Sequence, residues 1–160
     1  LAGGCEMAMA CDITIAARSA IFGEPEVKFG AGIVVMLLPW LVGPKKAKEI
    51  AFLGEDGITA AQALEYGMIN QVVDDEKLQQ TALKMAQKIA LVDPMVMQKT
   101  KQQINESMQL AGMEHALHRA LEIDGDLEGI GSQDKAIFLD ILRKEGLKAA
   151  LVWRDTRFTQ

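Results

Sequence analysis

The chain has 160 residues, 49% of them hydrophobic, and a formal net charge of −5. That length fits one domain, with room for two subdomains, and the apolar fraction is enough for a sizeable core. Mild acidity with interspersed signs argues against nucleic acid as a partner, and no apolar run reaches the roughly 18 residues of a membrane span. The stretch Ile33 to Val42 is too short for that and carries Pro39. Aromatics make up only 5%, so Ala, Leu, Ile, Val and nine methionines must fill the interior. Cys5 and Cys11 match neither a zinc pattern nor a disulfide framework. They are expected to be buried free thiols in a reducing compartment, the cytoplasm.

In chain order, Gly3 and Gly4 open a helix over residues 3–11, rich in Ala and Met. Residues 12–17 bring Ile13, Thr14 and Ile15 together and read as a strand, and 19–22 as a second, short one. Gly30-Ala31-Gly32 is a loop, followed by an apolar helical stretch over 33–41 that Pro39 interrupts or turns. A basic amphipathic helix over 44–53 is closed by Gly54, and Thr59 caps a helix through Tyr66 that Gly67 stops. Residues 69–73 form a strand. Beyond it the pattern becomes helical throughout: 75–91, then from Asp93-Pro94 to about Gln109, then Met113 to about Asp126. Gly125, Gly129 and Gly131 mark a loop, Ser132 or Asp134 caps a helix to Lys144, and a last helix follows Gly146. A boundary near residue 74 therefore separates an α/β layer from an all-helical tail.

Two glutamates stand in distinctive settings. Glu6 lies just inside the helix that the glycines open, where unpaired backbone N–H groups favour negative charge. Its neighbours Cys5, Met7, Ala8 and Met9 imply partial burial, and buried carboxylates need partners or shifted pKa values. Glu26 ends the second strand after Pro25. Anion-receiving N–H groups beside two carboxylates are the parts of an oxyanion hole with an acid/base pair, suited to a carbonyl compound. Glu24, between Gly23 and Pro25, reads as a turn carboxylate instead. His115 and His118 read as a solvated helix face, with no ligand set for a metal.

The run Ala2-Gly3-Gly4-Cys5-Glu6-Met7-Ala8-Met9-Ala10-Cys11-Asp12-Ile13, followed by Phe22-Gly23-Glu24-Pro25-Glu26, resembles the enoyl-CoA hydratase/isomerase family, the crotonase superfamily. Leu41-Val42-Gly43, Ala51-Phe52-Leu53-Gly54-Glu55 and the stretch 60–73 extend the match, which is dense over residues 1–73. The resemblance implies an α/β fold: the C-terminal turns of a crotonase-like ββα spiral over 1–74, then a helical oligomerisation region over 75–160. It implies an acyl-CoA substrate, no separate cofactor because CoA belongs to the substrate, and a homotrimer or dimer of trimers. The N–H of Gly3 would be one of two donors to the thioester oxygen. Glu6 would orient a water and take its proton during attack on the β-carbon, and Glu26 would give a proton to the α-carbon. Relative to that pattern the N-terminal half, with the second donor, is expected to lie outside this chain.

The stretch Gly30-Ala31-Gly32-Ile33-Val34-Val35-Met36-Leu37-Leu38-Pro39-Trp40 departs from the family's glycine-rich pattern and is shorter. Gly4, Ile33, Met36 and Trp40 are its expected substrate-binding residues, with a reshaped acyl pocket and a backbone contact to the water-handling glutamate at risk. The family's Phe near CoA is replaced by Ala150, leaving Trp153 or Arg154 as substitutes, and Lys45, Lys46 and Lys48 as a possible phosphate patch. Hydration of a 2-enoyl-CoA is the leading expectation. The alternatives are an isomerase or acyl-CoA hydrolase of the same fold, or an inactive chain serving as an oligomerising module.

Overall fold

The structure, a computed structural model, describes residues 1–159. Helix α1 (Gly3–Ala10) leads through a bend into strand β1 (Ile15–Ala17), and a turn leads to β2 (Ile21–Phe22). Strand β1 is shorter than the predicted 12–17 because Thr14 is used elsewhere. Its hydroxyl donates to the Ala8 carbonyl at 2.6 Å and its N–H to Asn70 Oδ1 at 2.8 Å. A 3₁₀ turn over Glu26–Phe29 follows, then helix α2 (Leu38–Leu53), β3 (Ile58–Thr59), α3 (Ala60–Glu65) and β4 (Gln71–Val73). Strand β1 pairs in parallel with β4, Ala16 opposite Val72, while β2 pairs antiparallel with β3, Phe22 opposite Ile58.

The expected helix over 33–41 is irregular through residue 37. The Val35 N–H is spent on the Glu6 side chain and the Val35 carbonyl accepts from Leu37, so neither is free for a helical ladder. Pro39 then sits in the first turn of α2, where its missing N–H costs nothing. Gly43, at φ 75 and ψ 162, breaks the ladder of α2 before Pro44. Gly54 closes α2 in the left-handed conformation, at φ 57 and ψ 44. Thr59 caps α3 as expected, and Gln62 makes the cap a reciprocal box.

The tail is helical: α4 (Leu78–Ile89), α5 (Pro94–Leu110), α6 (Met113–Ile130), α7 (Gln133–Glu145) and α8 (Leu147–Thr156). Gly125 and Gly129 lie within α6 instead of a loop, and the helix stops only at Gly131, at φ 75. The core gathers Cys5, Met9, Phe22, Leu37, Leu38, Ile50, Ile58, Ala60, Ala63, Met68 and Ile69 around α1, α2 and α3. Helices α7 and α8 pack on the 3₁₀ turn: the Phe138 ring stacks on Phe29 at 4.8 Å, and Trp153 lies 6.5 Å from Phe138. In contrast, Leu91, Met95, Ile104, Leu110, Leu121 and Ile130 of the tail are exposed.

Candidate active site

Helix α1 begins directly after Ala2, whose φ of 55 and ψ of −137 place a residue with a Cβ in backbone space favoured by glycine. Such a conformation costs on the order of 1–3 kcal/mol and persists only where its surroundings fix it. Here the Ala2 N–H donates to the Gly23 carbonyl at 2.9 Å, and its own carbonyl accepts from Cys5 and Glu6 at 2.7 and 3.0 Å. The Gly4 N–H donates to the Leu1 carbonyl at 3.1 Å, whereas that of Gly3 has no acceptor among the described residues. A Cβ at Gly3 or Gly4 would meet nothing within 4 Å. The turn that the glycines were expected to make is thus made by Ala2. The two glycines are helical, and they leave an N–H group facing open space at the positive end of α1.

Glu6, half-buried on the first turn of α1, accepts a hydrogen bond from the Val35 N–H at 3.0 Å. The departure from the glycine-rich pattern therefore does not remove the backbone contact to this glutamate; Val35 supplies it. Glu26 opens the 3₁₀ turn instead of ending a strand, and its carbonyl accepts from Ala31 at 3.1 Å. Its Oε2 is buried without a hydrogen-bond partner. Burial pushes the Glu26 carboxyl above the usual range, and the charge of Glu6 adds to that.

Glu24 is not a turn carboxylate. It is 0% exposed, and both side-chain oxygens are buried without partners. Its backbone N–H donates to the Glu55 carbonyl at 2.8 Å, which fixes it beside the core. Burial first, then the charges of Glu26 and Glu6, push its carboxyl up to about 8. The neighbouring Cys5 thiol is pushed up to about 12, mainly by burial, and so stays neutral. The whole run Phe22 to Pro25 is buried, so the burial of Glu24 follows from what packs on this segment and not from strand alternation, since β2 ends at Phe22.

Asp124 of α6 is a second acidic residue that sequence reasoning missed. Its Oδ1 is buried and unpartnered, pressed so closely on Gly32 that a Cβ there would overlap it. Of the expected acyl-facing residues, Ile33 is buried, while Met36 in the irregular segment and Trp40 in α2 are half-buried. Arg154 is engaged by Asp56 and Asp155, and Lys46 by Glu49 with the Tyr66 ring 4.4 Å away. No group of three or more potential metal ligands occurs among the described residues, His115 and His118 included. Two concavities on the described residues are not lined by Glu6, Glu24 or Glu26. One, of about 540 Å³, is lined by Met108, Met113, Leu117 and His118; the other, of about 170 Å³, lies beside Lys46 and Tyr66.

The structure thus gathers an N–H without an acceptor at the start of α1 and three glutamates, Glu6, Glu24 and Glu26, whose charges act on one another. The chain belongs to the enoyl-CoA hydratase/isomerase family, whose model matches residues 1–137. It is 37% identical to a crotonyl-CoA hydratase of Syntrophomonas wolfei over 165 residues, covering 99% of this chain and 57% of that protein. It is 38% identical to a short-chain-enoyl-CoA hydratase of Clostridioides difficile, over 80% of this chain and 81% of the other. Among solved structures, an enoyl-CoA hydratase/isomerase from Xanthobacter autotrophicus Py2 superposes with a TM-score of 0.97 at 55% identity. That match covers 99% of this chain and 59% of the solved one, and the fold is crotonase-like. The chain thus spans somewhat more than half the length of the first and third of these relatives.

Proposed function

We propose that the protein hydrates and dehydrates a 2-enoyl-CoA thioester. The relatives named above extend beyond this chain. The proposal is therefore for an enzyme in which these residues supply Gly3, Glu6 and Glu26 while a further stretch supplies the second N–H donor. The observation that carries it is the hydrogen bond from the Val35 N–H to Glu6 Oε1, on the same first turn of α1 as the unpaired Gly3 N–H. The bond takes up one oxygen of Glu6 and leaves the other free to accept a proton from water.

In the hydration direction the thioester oxygen sits at the Gly3 N–H, where the α1 dipole stabilises the charge of an enolate. Water adds its oxygen to the β-carbon while Glu6 takes its proton, and Glu26 gives a proton to the α-carbon. Glu26 suits the donor's part because burial raises its carboxyl towards the neutral form. CoA enters as part of the substrate, and the chemistry calls for no separate cofactor. Ile33, Met36 and Trp40 would shape the acyl side of the pocket. The exposed apolar side chains of α4 to α6 suit a trimer or dimer of trimers, in a soluble cytoplasmic enzyme.

The test is steady-state hydration of crotonyl-CoA by the full-length protein, followed by loss of the conjugated-thioester absorbance. Glu6→Gln and Glu26→Gln are each expected to lower kcat by about 10²–10⁴-fold with little change in KM. Retention of wild-type turnover by Glu6→Gln overturns hydration. If 3-enoyl-CoA is then isomerised by a route that still needs Glu26, the isomerase reading takes its place.

A further inference from the structure

Glu24 has no part in the reaction above, yet it is a fully buried carboxyl with two orphaned oxygens. Resting on the reading of Glu26 as the proton donor, we propose that Glu24 is a positioning residue. It keeps its own proton and, as a neutral carboxylic acid, donates a hydrogen bond to the buried oxygen of Glu26.

Three features lead there. An ionised carboxylate without donors is among the costliest groups to bury, whereas a neutral carboxyl is satisfied by one acceptor for its O–H. The orphaned Oε2 of Glu26 is such an acceptor, buried as both Glu24 oxygens are and only two residues along the chain. Next, burial and then the charges of Glu26, from the 3₁₀ turn, and Glu6, from α1, favour the neutral form of Glu24. They outweigh the Cys5 thiol of α1 and the α-amino group of Leu1, which act in the opposite direction. Like-charged neighbours of this kind titrate as a coupled group that holds back a proton well above the ordinary carboxylate range. Finally, the backbone around Glu24 is fixed to both halves of the site. Glu24 N–H is held by Glu55 and the adjacent Gly23 carbonyl holds Ala2, the residue that aims the Gly3 N–H.

The consequence for the reaction is a bond that strengthens as Glu26 gives up its proton, because hydrogen bonds to an ionised acceptor are the strong ones. Glu24 keeps its proton throughout. Above a pH of about 8 that proton is lost, and the new charge opposes formation of the Glu26 carboxylate.

Infrared difference spectroscopy of the full-length protein without substrate tests where the proton sits. Wild type at neutral pH is expected to show a protonated-carboxyl C=O band that Glu24→Gln removes and that titrates near pH 8. A spectrum in which Glu24→Gln removes no such band overturns the proposal. In turnover, Glu24→Gln keeps a donor and should hold neutral-pH kcat within about threefold while abolishing the alkaline fall in rate. Glu24→Leu, which removes the donor, should lower kcat about 10–100-fold with KM unchanged. A packing role would instead leave the alkaline limb in place in Glu24→Gln, and that result also overturns the proposal. A wild-type protein with the band but no enoyl-CoA turnover overturns the hydratase reading alone.

Discussion

Ser132 joins the helical tail to the turn that carries Glu26, and its removal has a magnitude that can be worked from its two hydrogen bonds. As N-cap of α7, Ser132 Oγ accepts from the Lys135 N–H at 3.1 Å. The same hydroxyl donates to the Gly30 carbonyl at 2.8 Å. Gly30, at φ 77, closes the 3₁₀ turn four residues after Glu26, and a Cβ there would collide with Ser132 Oγ. Ser132→Ala forfeits the cap, about 1 kcal/mol, and leaves a part-buried carbonyl without its donor, about 1 kcal/mol more. The total of about 2 kcal/mol, at a urea slope of about 2 kcal/mol/M, lowers the unfolding midpoint by about 1 M. Ser132→Thr keeps the hydroxyl and should recover most of the loss. A Ser132→Ala loss under about 0.5 kcal/mol, the level of an ordinary surface substitution, refutes the reasoning, as does a threonine variant no better than alanine.

Two further predictions concern charge. Asp56 bridges Lys28 at 3.0 Å and Arg154 at 3.4 Å, and those two cationic side chains are only 12% and 13% exposed. Asp56→Asn strands Lys28 and leaves Arg154 with Asp155 alone, and because Asp56 keeps some access to water the expected loss is about 2 kcal/mol, below the roughly 3–5 kcal/mol of a fully buried pair. Urea unfolding measures it, and an unchanged midpoint contradicts it. The raised carboxyls of Glu24 and Glu26 make stability fall with pH. Between the ordinary carboxylate range and about 8 the folded chain binds more protons than the unfolded one, so that contribution is lost as pH rises and is flat beyond. Asp74 and Asp75, held low by hydrogen bonds from Lys77 and Ser19 respectively, work in the opposite sense only at lower pH. Unfolding free energies that rise from pH 5 to 8, or a Glu24→Gln variant with the same slope as wild type, contradict this account.

Much of the fold was legible because its decisive signals are local. Thr59 with Gln62, Asp93 before Pro94, and Ser132 before α7 each cap a helix through atoms two or three residues away, so spacing alone finds them. The failures share the opposite cause. Strand β1 is cut short by Asn70, and the segment before α2 is kept irregular by Glu6, partners 56 and 29 residues distant in sequence. No window around Val35 contains the carboxylate that takes its N–H. The candidate site divides in the same way: Gly3, Glu6 and Glu26 are candidates because they lie in a short motif, and in the structure the charge of Glu6 acts on Glu26. Glu24 reads as a turn carboxylate because its flanking Gly23 and Pro25 are turn formers, yet all three residues are buried. Its backbone N–H is taken by Glu55, and Cys5 and Glu6 of α1 act on its carboxyl, partners that a turn assignment never consults. A carboxyl between turn formers is buried or exposed according to what packs on it, and for Glu24 that includes the backbone of Glu55, which no local window contains.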